Sequence, residues 1–136
     1  MRDLPRLVFD TNTLISALLL PDSQPAHAVK KGIHEGKISV SRDTLSELAD
    51  VLSRTKFDHY ISVEDRKDYF RYFSRVVEEV EIIRKVTICR DPKDNKFLEV
   101  AVNGQAKIII TGNKDLLVLH PYQSIEIISP AQYLKK

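Results

Sequence analysis

Asp10, Glu47, Asp94, Asn113 and Asp115 are oxygen-bearing side chains that each follow a short apolar run. Leu7-Val8-Phe9 ends directly in Asp10, with Thr11-Asn12-Thr13 after it. Ile38-Ser39-Val40 is followed by Ser41-Arg42-Asp43 and then Glu47. Val86-Thr87-Ile88-Cys89 leads into Arg90-Asp91-Pro92-Lys93-Asp94, and Ile108-Ile109-Ile110 into Thr111-Gly112-Asn113-Lys114-Asp115. If the ends of these runs converge, their carboxylates repel one another and raise each other's pKa unless a cation neutralises them. Hard oxygen donors without a His or Cys set suit Mg²⁺ or Mn²⁺. Such an ion can generate a hydroxide nucleophile and stabilise in-line displacement at phosphorus. Residue types and positions therefore point to a divalent-metal site, and they leave the substrate open.

The same residues have structural uses. Asp10, Thr11 or Asn12 can cap a helix beginning near Asn12. A carboxylate directly after an apolar strand is nevertheless expensive to place without a purpose. Asp91-Pro92 is a helix start in its own right, with Asp91 as N-cap, while Asp94 favours the positive end of the macrodipole. Glu47 falls away from the Leu45/Leu48/Leu52 stripe, where a glutamate is ordinarily solvated and where Asp43 and Asp50 also lie. Gly112-Asn113 reads as a tight turn with a cap, and Thr111 can orient a ligand or only finish its strand. His27, His34, His59 and His120 are scattered without ligand or triad spacing. Arg54 and Lys56, at the end of the Glu47 helix, are the basic residues placed to contact phosphate. Lys30-Lys31 and Arg66-Lys67 read as solvated faces.

The apolar runs are short, β-branched and continuous, as strands covered on both faces tend to be. Five are expected, the fifth being Ile125-Glu126-Ile127-Ile128. Helical stretches lie between them at Asn12–Leu20, Gln24–His34, Asp43–Leu52 and Lys93–Asn103, and Val63–Arg84 is long enough for two helices. A short segment after Asn113 and a last turn after Pro130 complete the series. Alternation of strand and helix predicts an α/β fold, a mostly parallel sheet with helices on both faces. Ligands in such folds bind at the carboxyl ends of the strands, where the oxygen-bearing residues are.

At 136 residues, the chain suits one domain over its whole length. With 21 Lys and Arg against 19 Asp and Glu, the net charge of +2 is too balanced to advertise nucleic-acid binding. The lone Cys89, expected in a buried strand, excludes an internal disulfide and fits a reducing compartment. Arg2, Asp3, Pro5 and Arg6 near the start argue against a signal peptide, and no apolar run approaches a membrane span. A cytoplasmic protein is expected.

Leu7-Val8-Phe9-Asp10-Thr11-Asn12 resembles the opening of PIN domains, whose first strand ends in a metal-binding aspartate. Ser46-Glu47-Leu48, with Val51-Leu52-Ser53-Arg54-Thr55-Lys56-Phe57 behind it, resembles the second acidic motif. Arg90-Asp91-Pro92-Lys93-Asp94-Asn95-Lys96-Phe97-Leu98 is similar to the third, and Ile110-Thr111-Gly112-Asn113-Lys114-Asp115-Leu116-Leu117 to the fourth. The motifs run in order across nearly the whole chain and look like those of VapC-type toxins from toxin–antitoxin pairs. The resemblance implies a three-layer α/β/α sandwich with a central sheet of about five strands. It also implies Mg²⁺- or Mn²⁺-dependent cleavage of RNA, with Asp10, Glu47 and Asp94 in the catalytic metal positions. Thr111 is then the small hydroxyl beside them and Asn12 a supporting residue. The family often has Asp where this chain has Asn113; its carbonyl can still ligate, with one negative charge fewer, and Asp115 can compensate. A cognate antitoxin blocking the site, and a homodimer extending the RNA groove, are implied as partners. The alternative is an RNA- or protein-binding module that keeps the scaffold and has lost catalysis through Asn113.

Overall fold

A computed structural model describes residues 4–136; residues 1–3, read above only for their charge, lie outside the described residues. β1 (Arg6–Phe9), β2 (Lys37–Val40), β3 (Glu78–Glu79), β4 (Ile108–Ile110) and β5 (Glu126–Ile128) form one sheet in the order β3-β2-β1-β4-β5. Every pairing is parallel, with Leu7 opposite Ile38 on one side and Ile108 on the other. Parallel neighbours need crossovers, supplied by α1 (Thr11–Leu19), α2 (Gln24–Glu35), α3 (Arg42–Leu52), α4 (Val63–Val76), α5 (Asn95–Gly104) and α6 (Lys114–Leu117). α7 (Pro130–Leu134) follows β5.

The period-2 geometry of the strands divides the apolar residues between two cores. Leu7, Phe9, Ile38, Ile108, Ile110 and Ile128 face one core, shared with Leu14, Leu48, Phe73 and Tyr133. Val8, Ile109 and Ile127 face the other, filled by Phe97, Leu98, Val100 and Ala101 of α5 and by Leu116 of α6. Both faces are covered, which gives the three layers expected. Close packing behind β1 requires small residues on α2: a Cβ at Gly32 would meet the Phe9 ring at 2.9 Å.

Two expectations along the chain are corrected. Val86–Cys89 is not a strand; the third strand is the two-residue edge strand Glu78–Glu79 beside β2. The Val63–Arg84 stretch holds one helix, which stops at Val76, after which the chain turns extended at Val77. Val76, Val77, Val80, Ile82 and Ile83 form a β-branched run that disfavours a second helix. Beyond the edge strand, α5 side chains satisfy the backbone in place of a neighbouring strand. Glu99 accepts from Val86 N, Asn95 from Cys89 N, and Asn103 from Ile83 N and Arg84 N. Cys89 is still buried, among the α5-side core residues, where burial pushes its thiol up to about 11.

Candidate active site

Asp10 leaves β1 at its carboxyl end and caps α1, its Oδ1 accepting from Thr13 N at 3.0 Å. Its Oδ2 accepts from the Thr111 hydroxyl at 2.6 Å. Thr111 closes the neighbouring strand β4 and is fully buried, so two strand ends meet at this carboxylate. Capping and a place at the sheet edge are thus one arrangement rather than alternatives. Only 4% of Asp10 is exposed. Burial raises its pKa above the ordinary 3.8, the hydrogen bonds from Thr111 and Thr13 oppose the shift, and the nearby Glu47 charge adds to it.

The Thr111 hydroxyl accepts in turn from Asn113 N at 2.9 Å. Asn113 caps α6 with its carbonyl, which accepts from Asp115 N at 2.9 Å, and its amide donates to Asp94 Oδ2 at 3.0 Å. Asp94 ends a 3-10 turn, Pro92–Asp94, capped by Asp91, whose side chain accepts from Lys93 N at 3.0 Å. The sequence reading of Asp91 as a cap agrees with this. Partial burial raises the Asp94 pKa, the Asn113 amide lowers it, and the Asp91, Asp115 and Asp10 charges raise it.

Glu47 arrives from α3. That helix starts at a capping box in which Ser41 and Thr44 bond each other's backbone, which fixes its first turn beside β2. Glu47 lies off the apolar stripe yet is half-buried, because its side of α3 meets the start of α1 and the first turn of α5. The Thr11 hydroxyl donates to its Oε1 and the Lys96 ammonium to its Oε2 at 2.5 Å. Lys96, within the third motif, has no role in the sequence reading; a lone lysine in a helix's first turn carries no signal of its partner on a distant helix.

Asp10, Glu47, Asp94, Asn12 and Asn113 line one recess of about 260 Å³, with Thr11, Val51, Asp91, Lys93 and Phe97. A larger cleft of about 640 Å³ continues past Asp10, Asp94 and Asn113 toward Gln24, Ser129 and Pro130. Asp115 also borders that cleft, but its carboxylate is held by Arg90 through two contacts of 2.9 Å. Arg54 and Lys56 line neither space: Arg54 reaches Asp50 at 3.4 Å, and Lys56 lies over the Phe57 ring. The structure thus brings Asp10, Glu47, Asp94, Asn12, Thr111 and Asn113 together and leaves Arg54 and Lys56 apart from them.

Among the described residues no three carboxylate, imidazole or thiol groups form a cluster tight enough to enclose an ion by themselves. Magnesium commonly asks for less, keeping several waters and taking one or two carboxylates together with substrate phosphate. The donors here fit that demand: Asp10 and Asp94 have raised pKa values and, among the described residues, no ion-pair partner. A divalent cation between them would supply the charge that burial withholds.

Residues 6–115 match the PIN domain family. The uncharacterized protein MJ1680 of Methanocaldococcus jannaschii is 34% identical over 116 residues, which cover 84% of this chain and 74% of that protein. Among solved structures, VapBC2 from Rickettsia felis, bound to a DNA fragment from its promoter, superposes with a TM-score of 0.66 at 14% identity. That match covers 91% of this chain and 98% of the other. DNA-bound VapBC from Salmonella typhimurium gives 0.65 at 15% identity, covering 93% and 99%. PAE2754 from Pyrobaculum aerophilum gives 0.64 at 14%, covering 98% and 91%. At such identities the structural likeness speaks for the fold, whereas the family match takes in the first three motifs and the fourth as far as Asp115. The chain belongs to the PIN domain family.

Proposed function

We propose that this chain is a divalent-metal-dependent endoribonuclease, a single PIN domain acting as the toxin of a toxin–antitoxin pair. The observation that carries this reading is the meeting of Asp10, Glu47 and Asp94, from three separate elements, around one recess with Asn113. Repelling carboxylates are costly to collect unless something positive is to be held among them. When bound, Mg²⁺ or Mn²⁺ supplies acidification of water and neutralisation of the developing charge at phosphorus. The protein's own part is positional. Asp10, Glu47 and Asp94 would hold the ion directly or through water, Thr111 fixes the Asp10 carboxylate, and Asn113 orients Asp94 through its amide. Asn12, exposed at the rim, is placed to meet the incoming strand, as is the Lys93 ammonium, which suits a phosphate.

The open cleft past Gln24 and Pro130 gives an extended polymer a path across the recess, which favours a cut within a chain over a small-molecule substrate. VapBC structures of the same fold support a cognate antitoxin as partner, and a second copy of the chain would lengthen the groove. Among the described residues no helix is long and apolar enough to cross a membrane, which agrees with a cytoplasmic place of action.

The test is incubation of the purified chain with structured and single-stranded RNA in Mn²⁺, Mg²⁺ or EDTA, beside Asp10→Asn. Cleavage that needs the metal and disappears with the substitution is the expected result. Cleavage that survives the substitution removes Asp10 from the site. RNA binding without cleavage under any metal would favour the non-catalytic module, for which the engaged Asn113 carbonyl and the Lys96–Glu47 pair are the supporting observations.

A further inference from the structure

Seven ion pairs join described residues, and in six of them at least one side chain is more than one-third exposed. Lys96–Glu47 is the exception, at 24% and 26% exposure, and it bridges α5 and α3 across the edge of the acidic recess. Both Glu47 oxygens are taken, one by the Lys96 ammonium and one by the Thr11 hydroxyl. Among the described residues Asp10 and Asp94 make no ion pair, and Arg90 is committed to Asp115. Lys93 lines the recess without pairing to any of its acids. Among the described residues, one side-chain cation is therefore bonded to the acids Asp10, Glu47, Asp91 and Asp94 of the recess, and it sits on an oxygen of Glu47 that a metal ion held by all of the site's acids would need.

We infer that Lys96 is the resident counter-ion of the recess, so that a divalent cation can engage Glu47 only by displacing the Lys96 ammonium. The inference rests on the metal-site reading above. Its physical content is a competition. With the pair intact, an entering ion meets Asp10 and Asp94 free of ion pairs and the Lys96 ammonium on Glu47; without Lys96 it meets Glu47 free as well and one repelling charge fewer. Over the few ångströms involved, removing one like charge is worth a change of about five- to tenfold in affinity. Lys96 is accordingly a positioning residue. It keeps Glu47 in place while no metal is bound, at the expense of metal affinity. A lysine that merely ties α5 to α3 would give stability and leave the metal constant alone.

The experiment is calorimetry of Mn²⁺ binding to the metal-stripped whole chain, for wild type, Lys96→Met and Lys96→Arg, with melting in EDTA alongside. Lys96→Met is expected to bind Mn²⁺ about five- to tenfold more tightly and to melt lower in EDTA. Lys96→Arg keeps the cation and is expected to stay within about twofold of wild type. Should Lys96→Met fail to fold, Lys96→Gln carries the same expectation. Equal or weaker Mn²⁺ binding by the neutral variant overturns the inference and leaves the metal site standing, as does an arginine variant that behaves like the methionine one. A wild-type chain that binds no Mn²⁺ overturns the metal site itself and the inference with it.

Discussion

Asp10 and Asp115 both follow strands at the same edge of the sheet, and their surroundings are opposite. Asp10 is enclosed at the junction of β1 and β4, bonded by a hydroxyl and a backbone amide and, among the described residues, by no cation. Its pKa is raised, chiefly by burial. Asp115 lies in the first turn of α6, where a guanidinium grips both of its oxygens and holds its carboxyl below the ordinary range. The first acid is charge-starved and the second is satisfied. A carboxylate kept short of positive charge is poised to take a cation from solution, whereas one already paired contributes shape and local order. Sequence position alone does not separate the two cases, since both acids follow an apolar run within five residues.

The largest expected effect falls on the starved side. Asp10→Asn keeps size but removes the charge and turns one of two accepting oxygens into a donor, and RNA cleavage in Mn²⁺ should fall by about a thousandfold or more. In EDTA the same variant should be more stable than wild type, because the desolvated charge that raises the Asp10 pKa is gone. Rate and denaturant unfolding measured on one preparation check both halves. Loss of activity together with loss of stability would mean that Asp10 is a structural cap and nothing more.

A second effect comes from Asn113, whose amide offsets the Asp94 charge through a hydrogen bond. Asn113→Asp replaces that donor with another carboxylate. Mn²⁺ should then bind about tenfold more tightly, while the metal-free protein should melt at a lower temperature. Calorimetry and thermal unfolding report the two changes. Tighter binding without destabilisation would mean that the new carboxylate points away from Asp94.

The pH dependence of stability separates the two environments by sign. Asp10 and Asp94 have folded pKa values above the ordinary 3.8. The unfolded chain releases those protons first as pH rises, so the folded state loses stability between 3.8 and the raised values. Asp115 is shifted downward, so its contribution is present above 3.8 and disappears as pH falls through its lower folded value. Urea unfolding in EDTA across that range should show less decline with rising pH in Asp10→Asn than in wild type.

How much of this was readable in advance follows the same physics. β1 and β4 announce themselves as unbroken apolar runs, as strands covered on both faces tend to be, and β2 and β5 through the Ile and Val residues around Ser39 and Glu126. The caps at Asp10, Asp91 and Asn113 are legible because local backbone chemistry requires them there, whereas the capping box at Ser41 is not read from the sequence. Val86–Cys89 misleads because an apolar run under a loop has the same composition as a buried strand, and only the side chains of α5 decide which it becomes. The true third strand, Glu78–Glu79, is two residues of glutamate, and pairing with β2 rather than propensity makes it a strand. Within the site, the wheel of α3 marks Glu47 as off the core, and in most helices that means solvent. Here its surroundings come from Thr11 and Lys96, 36 and 49 residues away in sequence, a relation no local pattern encodes.

The smallest effect belongs to the satisfied acid. Asp115→Asn breaks the bidentate grip of Arg90, whose side chain is 83% exposed. Exposed ion pairs contribute little, so cleavage should change by less than about twofold at moderate salt. Arg90→Ala should match it, since either change undoes the same pair, and the two together should add nothing further. Raising the ionic strength should reduce even that difference, because screening weakens the pair before it is mutated. A large loss of metal binding in Asp115→Asn, unmatched by Arg90→Ala, would move Asp115 to the starved side and make it part of the metal site.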